Sequence, residues 1–399
     1  MVFYTFVLMP RIKIAYITTT EATDRRTWSG TNYFLQLALQ KQVGDVELIG
    51  PVHPTLVIFF FRAFNFLSLV LFRKRIDWSN STILSKIYSK IIQKKISNQK
   101  YDLIVVPGST ALIAHLQTTI PIVYIGDRTT MGAYEYHEQL KHLWGFSFRQ
   151  SITTDRLAFE KSLFVTFPSS WACDSVVQDY GIPREKVFTI SFGANFDQFP
   201  DRNKINLNSI NKTFTLLFVA VTWKQKGGNI AFDCLQHLRQ KGVDARLVVC
   251  GCEPDQDKIS PYLEVVPFLD KNNPTQFDQL KKLFLSSDIF ILPTRVDAYG
   301  IAFCEASAYG LPSLGTDTGG VSGALHEGIN GYRFSIEAGG KEYAEKILEL
   351  LSDEKKYFSL KESSRKLFED KLNWDAWART FCAVLSTKIP EKSALIKPE

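Results

Sequence analysis

The sequence contains no Cys-x-x-Cys pair, and none of its six cysteines (Cys173, Cys234, Cys250, Cys252, Cys304 and Cys382) has a histidine partner at metal-ligand spacing. That argues against zinc and disulfide frameworks, predicts reduced thiols in a cytoplasmic protein, and leaves no metal site to name. No Gly-x-Gly-x-x-Gly follows the first predicted strand, Ile12 to Ile17, so a nicotinamide dehydrogenase fits poorly. The apolar start, Met1 to Met9, is brief and has no basic leader, so a secretory signal is not expected. The longest apolar run, Leu56 to Phe72, is interrupted by Arg62 and Asn65 and falls short of the roughly 20 residues a bilayer span needs. Excess charge is also small, +6 over 399 residues, and a nucleic-acid partner is not expected.

What is present suits two globular domains: 45% of residues are apolar and 22% charged. Apolar strand-like runs alternate with helical patterns through both halves, with no other repeat and no low-complexity tract. In the first half, strands are expected at Ile12–Ile17, Val46–Gly50, Tyr101–Val106, Ile120–Ile125 and Phe188–Ser191, with a helix from Tyr33 to Gln40. Asp201 to Lys212 is polar and aperiodic and reads as a linker. Strands at Thr215–Val221, Arg246–Gly251, Leu263–Val266 and Ile289–Leu292 then make a second α/β unit, with helices from near Asn229 and from Gln276 to Ser286. Trp374 to Phe381 reads as an amphipathic terminal helix.

The stretch from Pro293 to Ala306 carries the clearest chemistry. After a buried-looking strand, a short loop holding Asp297 enters a helix that bears Glu305 about one turn in. The backbone N–H groups of Tyr299, Gly300 and Ile301 fall at that helix start, where orphan donors and the helix dipole attract anions. Carboxylates accept paired hydrogen bonds from vicinal hydroxyls, so one acid suits a ribose and the other a hexose. A phosphorylated, hydroxyl-rich ligand is expected. In the same half, Trp223-Lys224-Gln225-Lys226-Gly227-Gly228 is a basic, glycine-bearing loop entering a helix, suited to a diphosphate.

The Asp297-x₇-Glu305 stretch resembles the E-x₇-E signature of retaining glycosyltransferases of family 4. The match continues through Gly310-Leu311-Pro312, Thr318-Gly319-Gly320 and Gly328-Ile329-Asn330-Gly331-Tyr332. Asp297 stands where the family usually has glutamate. Resemblance extends from Ile12 to Phe381 and is weakest from Gly50 to Lys100. It implies an α/β protein of GT-B type, with two Rossmann-like domains facing each other across a cleft. Residues 1–200 would form the acceptor domain, joined by a terminal helix in 374–399, and residues 201–373 the nucleotide-sugar domain. It also implies transfer of a sugar from a nucleoside diphosphate sugar to a hydroxyl acceptor with retention, no separate cofactor, and no covalent nucleophile.

On this resemblance Lys226 matches the family's phosphate-binding lysine. The preceding arginine is absent, Val221 and Thr222 occupying its neighbourhood, and Lys224 is the candidate substitute. Gly30, between Ser29 and Thr31, would fill the first loop's glycine position. Glu305 would hold the ribose and Asp297 the transferred sugar. Phe192-Gly193-Ala194-Asn195 resembles a cleft-lining turn, and Asp127, at a strand end, would face the acceptor. His115 and His137 lie to either side and read as surface or packing residues. Two other functions remain open: a sugar-nucleotide epimerase of similar shape and a noncatalytic sugar-nucleotide-binding module.

The remaining motif is basic. Arg73-Lys74-Arg75 follows the apolar run, and Ile83, Ile87 and Ile91 then recur among lysines at helical spacing. Ordinary core helices with a solvated basic face are the first expectation. Peripheral contact with anionic lipid at the inner membrane face is the second.

Overall fold

The computed structural model describes residues 11–134 and 138–395, so Met1 to Met9 and His137 lie outside the described residues. The first half forms a six-stranded sheet from β1 (Ile12–Tyr16), β2 (Gly44–Leu48), β3 (Leu103–Pro107), β4 (Ile122–Ile125), β5 (Phe164–Phe167) and β6 (Val187–Thr189), ordered β2-β1-β3-β4-β5-β6. The second half forms another from β7 (Phe214–Val219), β8 (Ala245–Cys250), β9 (Leu263–Val266), β10 (Ile289–Leu292), β11 (Ser313–Thr316) and β12 (Gly331–Phe334), ordered β12-β11-β10-β7-β8-β9. Every pairing within both sheets is parallel. Strands covered on both faces must be apolar throughout, and β3, β5 and β10 are buried at every residue. This is the two-sheet α/β architecture expected from the sequence.

The helices that matter for the site are α1 (Thr31–Gln42), α2 (Thr55–Phe72), α3 (Thr82–Ile96), α4 (Gly228–Gln240), α5 (Ile301–Ala308) and α6 (Trp374–Lys388). In the first sheet the strand order reverses between β1 and β3, and in the second between β7 and β10. Ligand crevices of open parallel sheets form outside the carboxyl ends of strands at such reversals. One apolar cluster runs from the α1 side of the first sheet through Phe192 and Phe196 into the second sheet; another fills the opposite face of the first. Near the chain's end α6 crosses back to α1, where Asp375 accepts from Lys41 Nζ at 2.9 Å and Gln42 Nε2 at 2.6 Å.

Three expectations shift. The first helix begins at Thr31, because Gly30 (φ +92°) reverses the chain immediately before it. Strand β2 begins at Gly44, set by its register of Gly44 opposite Ile12. On α3 the buried apolar side chains include Leu84, Tyr88 and Ile92, one position beyond the isoleucines that mark the apolar period in the sequence, and Ile83 is 63% exposed. The expected core role of α2 is overturned outright. Only Ile58 and Ser68 of its 18 residues are buried, and by length and composition it is sufficient to cross a membrane.

Candidate active site

Two cavities open at the two strand-order reversals and share a wall. The first, about 300 Å³, lies against the ends of β7, β8 and β10 and the start of α5, and is lined by Gly251, Leu292, Gly300, Ile301 and Glu305. Arg25, Arg26 and Ser29 reach into it from the loop after β1, and Lys271 from the loop after β9. The second, about 470 Å³, lies against the ends of β1, β3 and β4 and is lined by Thr18, Thr20, Trp28, Gly108, Asp127 and Arg128. Lys226 and Asp297 line both.

The shared pair is a direct contact. Lys226 Nζ donates to Asp297 Oδ2 at 2.7 Å, with the two side chains 23% and 13% exposed. Local backbone geometry brings them together. Gly227 adopts φ +78°, and a Cβ there would lie 2.0 Å from Pro293 O, so only glycine lets the basic loop rest on the end of β10. Across from it, Gly300 (φ +85°) turns the chain into α5; the Asp297 loop is held by Tyr299 N–H donating to Asp297 Oδ1 at 3.4 Å. The first N–H groups of α5 therefore face the cavity wall where Gly300, Ile301 and Ala302 lie.

Glu305 is buried and accepts from Lys271 Nζ at 2.5 Å. Burial pushes its carboxyl above the usual carboxylate range, and Lys271 pulls it back. Lys271 also donates to Asn195 O at 3.3 Å, and Asn195 joins three segments. Its side chain donates to Ser29 O at 3.0 Å and Thr31 Oγ1 at 3.2 Å, and accepts from Trp374 Nε1 at 3.0 Å. The turn after β6 thus ties the first loop to α6 and to the Lys271–Glu305 pair. Between the halves, Arg25 donates to Lys271 O at 3.2 Å, its N–H to Asn272 Oδ1 at 3.1 Å, and Asn272 Nδ2 to Asp24 Oδ1 at 2.7 Å.

On the other side, Asp127 accepts from Trp28 Nε1 at 2.7 Å. Burial raises its carboxyl above the ordinary value near 3.8, opposed by Arg128 and the Trp28 hydrogen bond.

Of the residues expected from the sequence, Lys226, Asp297, Glu305, Gly300 and Ile301 come together at the first cavity and Asp127 at the second. Four others are placed differently. Gly227 lines neither cavity, being packed against Pro293. Lys224 lines neither cavity; its side chain is 80% exposed and its ammonium stands 3.7 Å from Asp255. The Tyr299 side chain is turned into the seam between the halves, donating to Phe192 O at 3.1 Å. Gly30 is buried behind Ser29, with Arg25 O 3.2 Å from where its Cβ would stand. His115 lies away from both cavities and its imidazole faces Ser85 Oγ at 3.0 Å. Sequence reasoning missed Arg25, Arg26 and Lys271. The signal available was position alone: each is basic and sits in a loop just after a strand. Among the described residues no group of three or more His, Cys, Asp or Glu is arranged to hold a metal ion.

Residues 200–367 match the family described as Glycosyl transferases group 1. The chain is 28% identical over 200 residues to the capsular polysaccharide biosynthesis glycosyltransferase CapM of Staphylococcus aureus, covering 47% of this chain and 50% of that protein. It is 25% identical over 196 residues to D-inositol 3-phosphate glycosyltransferase 1 of Catenulispora acidiphila, covering 45% and 47%. The match thus spans about half the length of these relatives. Among solved structures, HepE of Anabaena in complex with UDP and glucose superposes with a TM-score of 0.62 at 14% identity, covering 94% of this chain and all of that one. At that identity the likeness is one of fold, the GT-B arrangement of two Rossmann-like units.

Proposed function

We propose, from the match of residues 200–367 to the glycosyl transferases group 1, that the protein transfers a sugar from a nucleoside diphosphate sugar to a hydroxyl acceptor. One observation carries the reading: the two cavities meet at the Lys226–Asp297 pair, where a donor in one and an acceptor in the other would share a boundary. The second unit takes the donor, and the first, with α6 docked on it, takes the acceptor. That HepE was crystallised with UDP and with UDP-glucose supports this class of donor.

Each side chain then has a part. Lys226 and the α5 amides receive the diphosphate, while Arg25, Arg26 and Lys271 add positive charge in place of the family's absent arginine. Glu305 accepts from the ribose hydroxyls. Donor binding exchanges partners at the shared wall: the diphosphate takes the Lys226 ammonium and the sugar hydroxyls take the Asp297 carboxylate. The bond from the anomeric carbon to the β-phosphate oxygen breaks as the acceptor oxygen bonds to that carbon on the same face. The acceptor proton passes to the departing phosphate oxygen, and the configuration is retained. Six free thiols support a cytoplasmic location.

Screening nucleoside diphosphate sugars for thermal stabilisation, then assaying the stabilising donor with hydroxyl acceptors, tests the proposal. A glycosylated product with the donor's anomeric configuration is expected. Release of a free isomerised sugar from donor alone would identify an epimerase, and binding without turnover with any acceptor a noncatalytic module.

A further inference from the structure

Helix α2 is amphipathic the wrong way round for a surface in water. Its polar residues Asn65 and Ser68 are turned toward the protein: Asn65 Oδ1 accepts from Ile76 N at 2.7 Å, and Ser68 Oγ accepts from Trp144 Nε1 and donates to Lys74 O, both at 2.8 Å. Its apolar residues are turned out, with Phe60, Phe64, Phe66, Val70 and Leu71 each 60–69% exposed. Phe146, on the neighbouring segment, extends the patch at 54% exposure. Contiguous apolar surface on this scale marks an interaction site.

Charge identifies the partner. Residues 51–100 carry nine lysines and arginines against a single acid, Asp77, which is occupied by Ser79, Asn80 and Ser151. A second copy docked symmetrically on this face would set that positive charge against itself. A surface of anionic lipid complements both the charge and the apolar face.

The helix is tethered at both ends to one face of the domain. Before it, Val52 N–H donates to Thr18 O at 2.8 Å; after it, Arg75 N–H donates to His142 O at 2.9 Å and Trp144 N–H to Arg75 O at 3.0 Å. A spanning segment would place its ends on opposite sides of the bilayer, so α2 fits a helix lying in the plane of the interface. We propose that α2, with its flanking basic residues, is a monotopic anchor that seats the first domain on an anionic membrane. Thr18 lines the second cavity, so the anchor starts three residues along the chain from a residue bonded to that cavity's rim.

The test is flotation of the full chain with vesicles of phosphatidylcholine alone or of phosphatidylcholine mixed with phosphatidylglycerol. The protein is expected to float with the anionic vesicles and to be released by salt. The variant Phe60→Gln/Phe64→Gln/Leu71→Gln should bind about ten-fold or more weakly. Hydrogen exchange of the parent protein gives a readout that does not depend on a variant folding: amides of α2 should be protected by anionic vesicles. Failure to float with either vesicle, no change in α2 exchange, or a stable dimer in solution that the glutamine variant abolishes would overturn the proposal. Because lipid binding is read without donor or acceptor, its failure is separate from any failure of the transferase reading.

Discussion

Lys226 and Asp297 face each other across 2.7 Å at a wall that the two cavities have in common. The ammonium and carboxylate are partners until something with a stronger claim to each arrives, and a sugar diphosphate has both claims in one molecule. Lys226→Met should lower kcat/KM by about 10²–10³-fold, the scale of losing one preorganised donor to a transition-state anion. Asp297→Glu, which restores the family's longer acid, should retain activity. Steady-state kinetics on folded variants checks both, and an unchanged Lys226→Met enzyme would remove the lysine from the reaction.

Glu305 and Lys271 form a second pair, buried where the first is partly open. Removing one partner leaves a charge stranded in low dielectric, so Glu305→Ala should destabilise the protein by about 3–5 kcal/mol as well as weaken nucleotide binding. Glu305→Ala/Lys271→Met should recover much of that stability without recovering nucleotide affinity. Urea denaturation of the two variants, set beside nucleotide titrations, tests the separation. Equal stability of the single and double variants would contradict the stranded-charge account.

Asp127 carries a pH prediction whose sign follows from its burial. Its carboxyl titrates higher in the folded chain than in the unfolded chain, so the ionised form costs stability. That cost is absent below the unfolded value near 3.8, grows as pH rises, and is complete above the raised folded value. Asp127→Asn, which keeps an oxygen for the Trp28 indole, should melt higher than the parent at pH 7, with the gap closing toward pH 4. If Asp127 faces the acceptor, the same variant raises the acceptor KM and leaves the donor KM unchanged. A constant melting difference across this range would contradict the buried-charge account.

Much of this site was legible because it is local in sequence. A loop acid, a glycine and a helical acid occur within fourteen residues, Pro293 to Ala306, directly after a strand, and their spacing fixes their placement. The basic loop at Lys226 was legible for the same reason. Lys271 and Arg25 were not, because they reach the site across 34 residues to Glu305 and 246 to the Lys271 carbonyl, distances over which no periodicity speaks. Lys224 misled for the converse reason: proximity in sequence to Lys226 does not place its side chain, which turns to Asp255. The α2 run reads as core because apolar residues usually find one, and Asn65, which reads in the sequence as an interruption, belongs with Ser68 to the face that packs.

The most direct measurement of the central claim is calorimetric titration of nucleosides and their diphosphates, across the common bases, against the parent and Lys226→Met. The account predicts that the parent binds one diphosphate at least about 100-fold more tightly than its nucleoside, and that Lys226→Met loses about ten-fold or more of that preference while nucleoside affinity holds. A Lys226→Met protein with the parent's full diphosphate preference, or a parent with none, would contradict it.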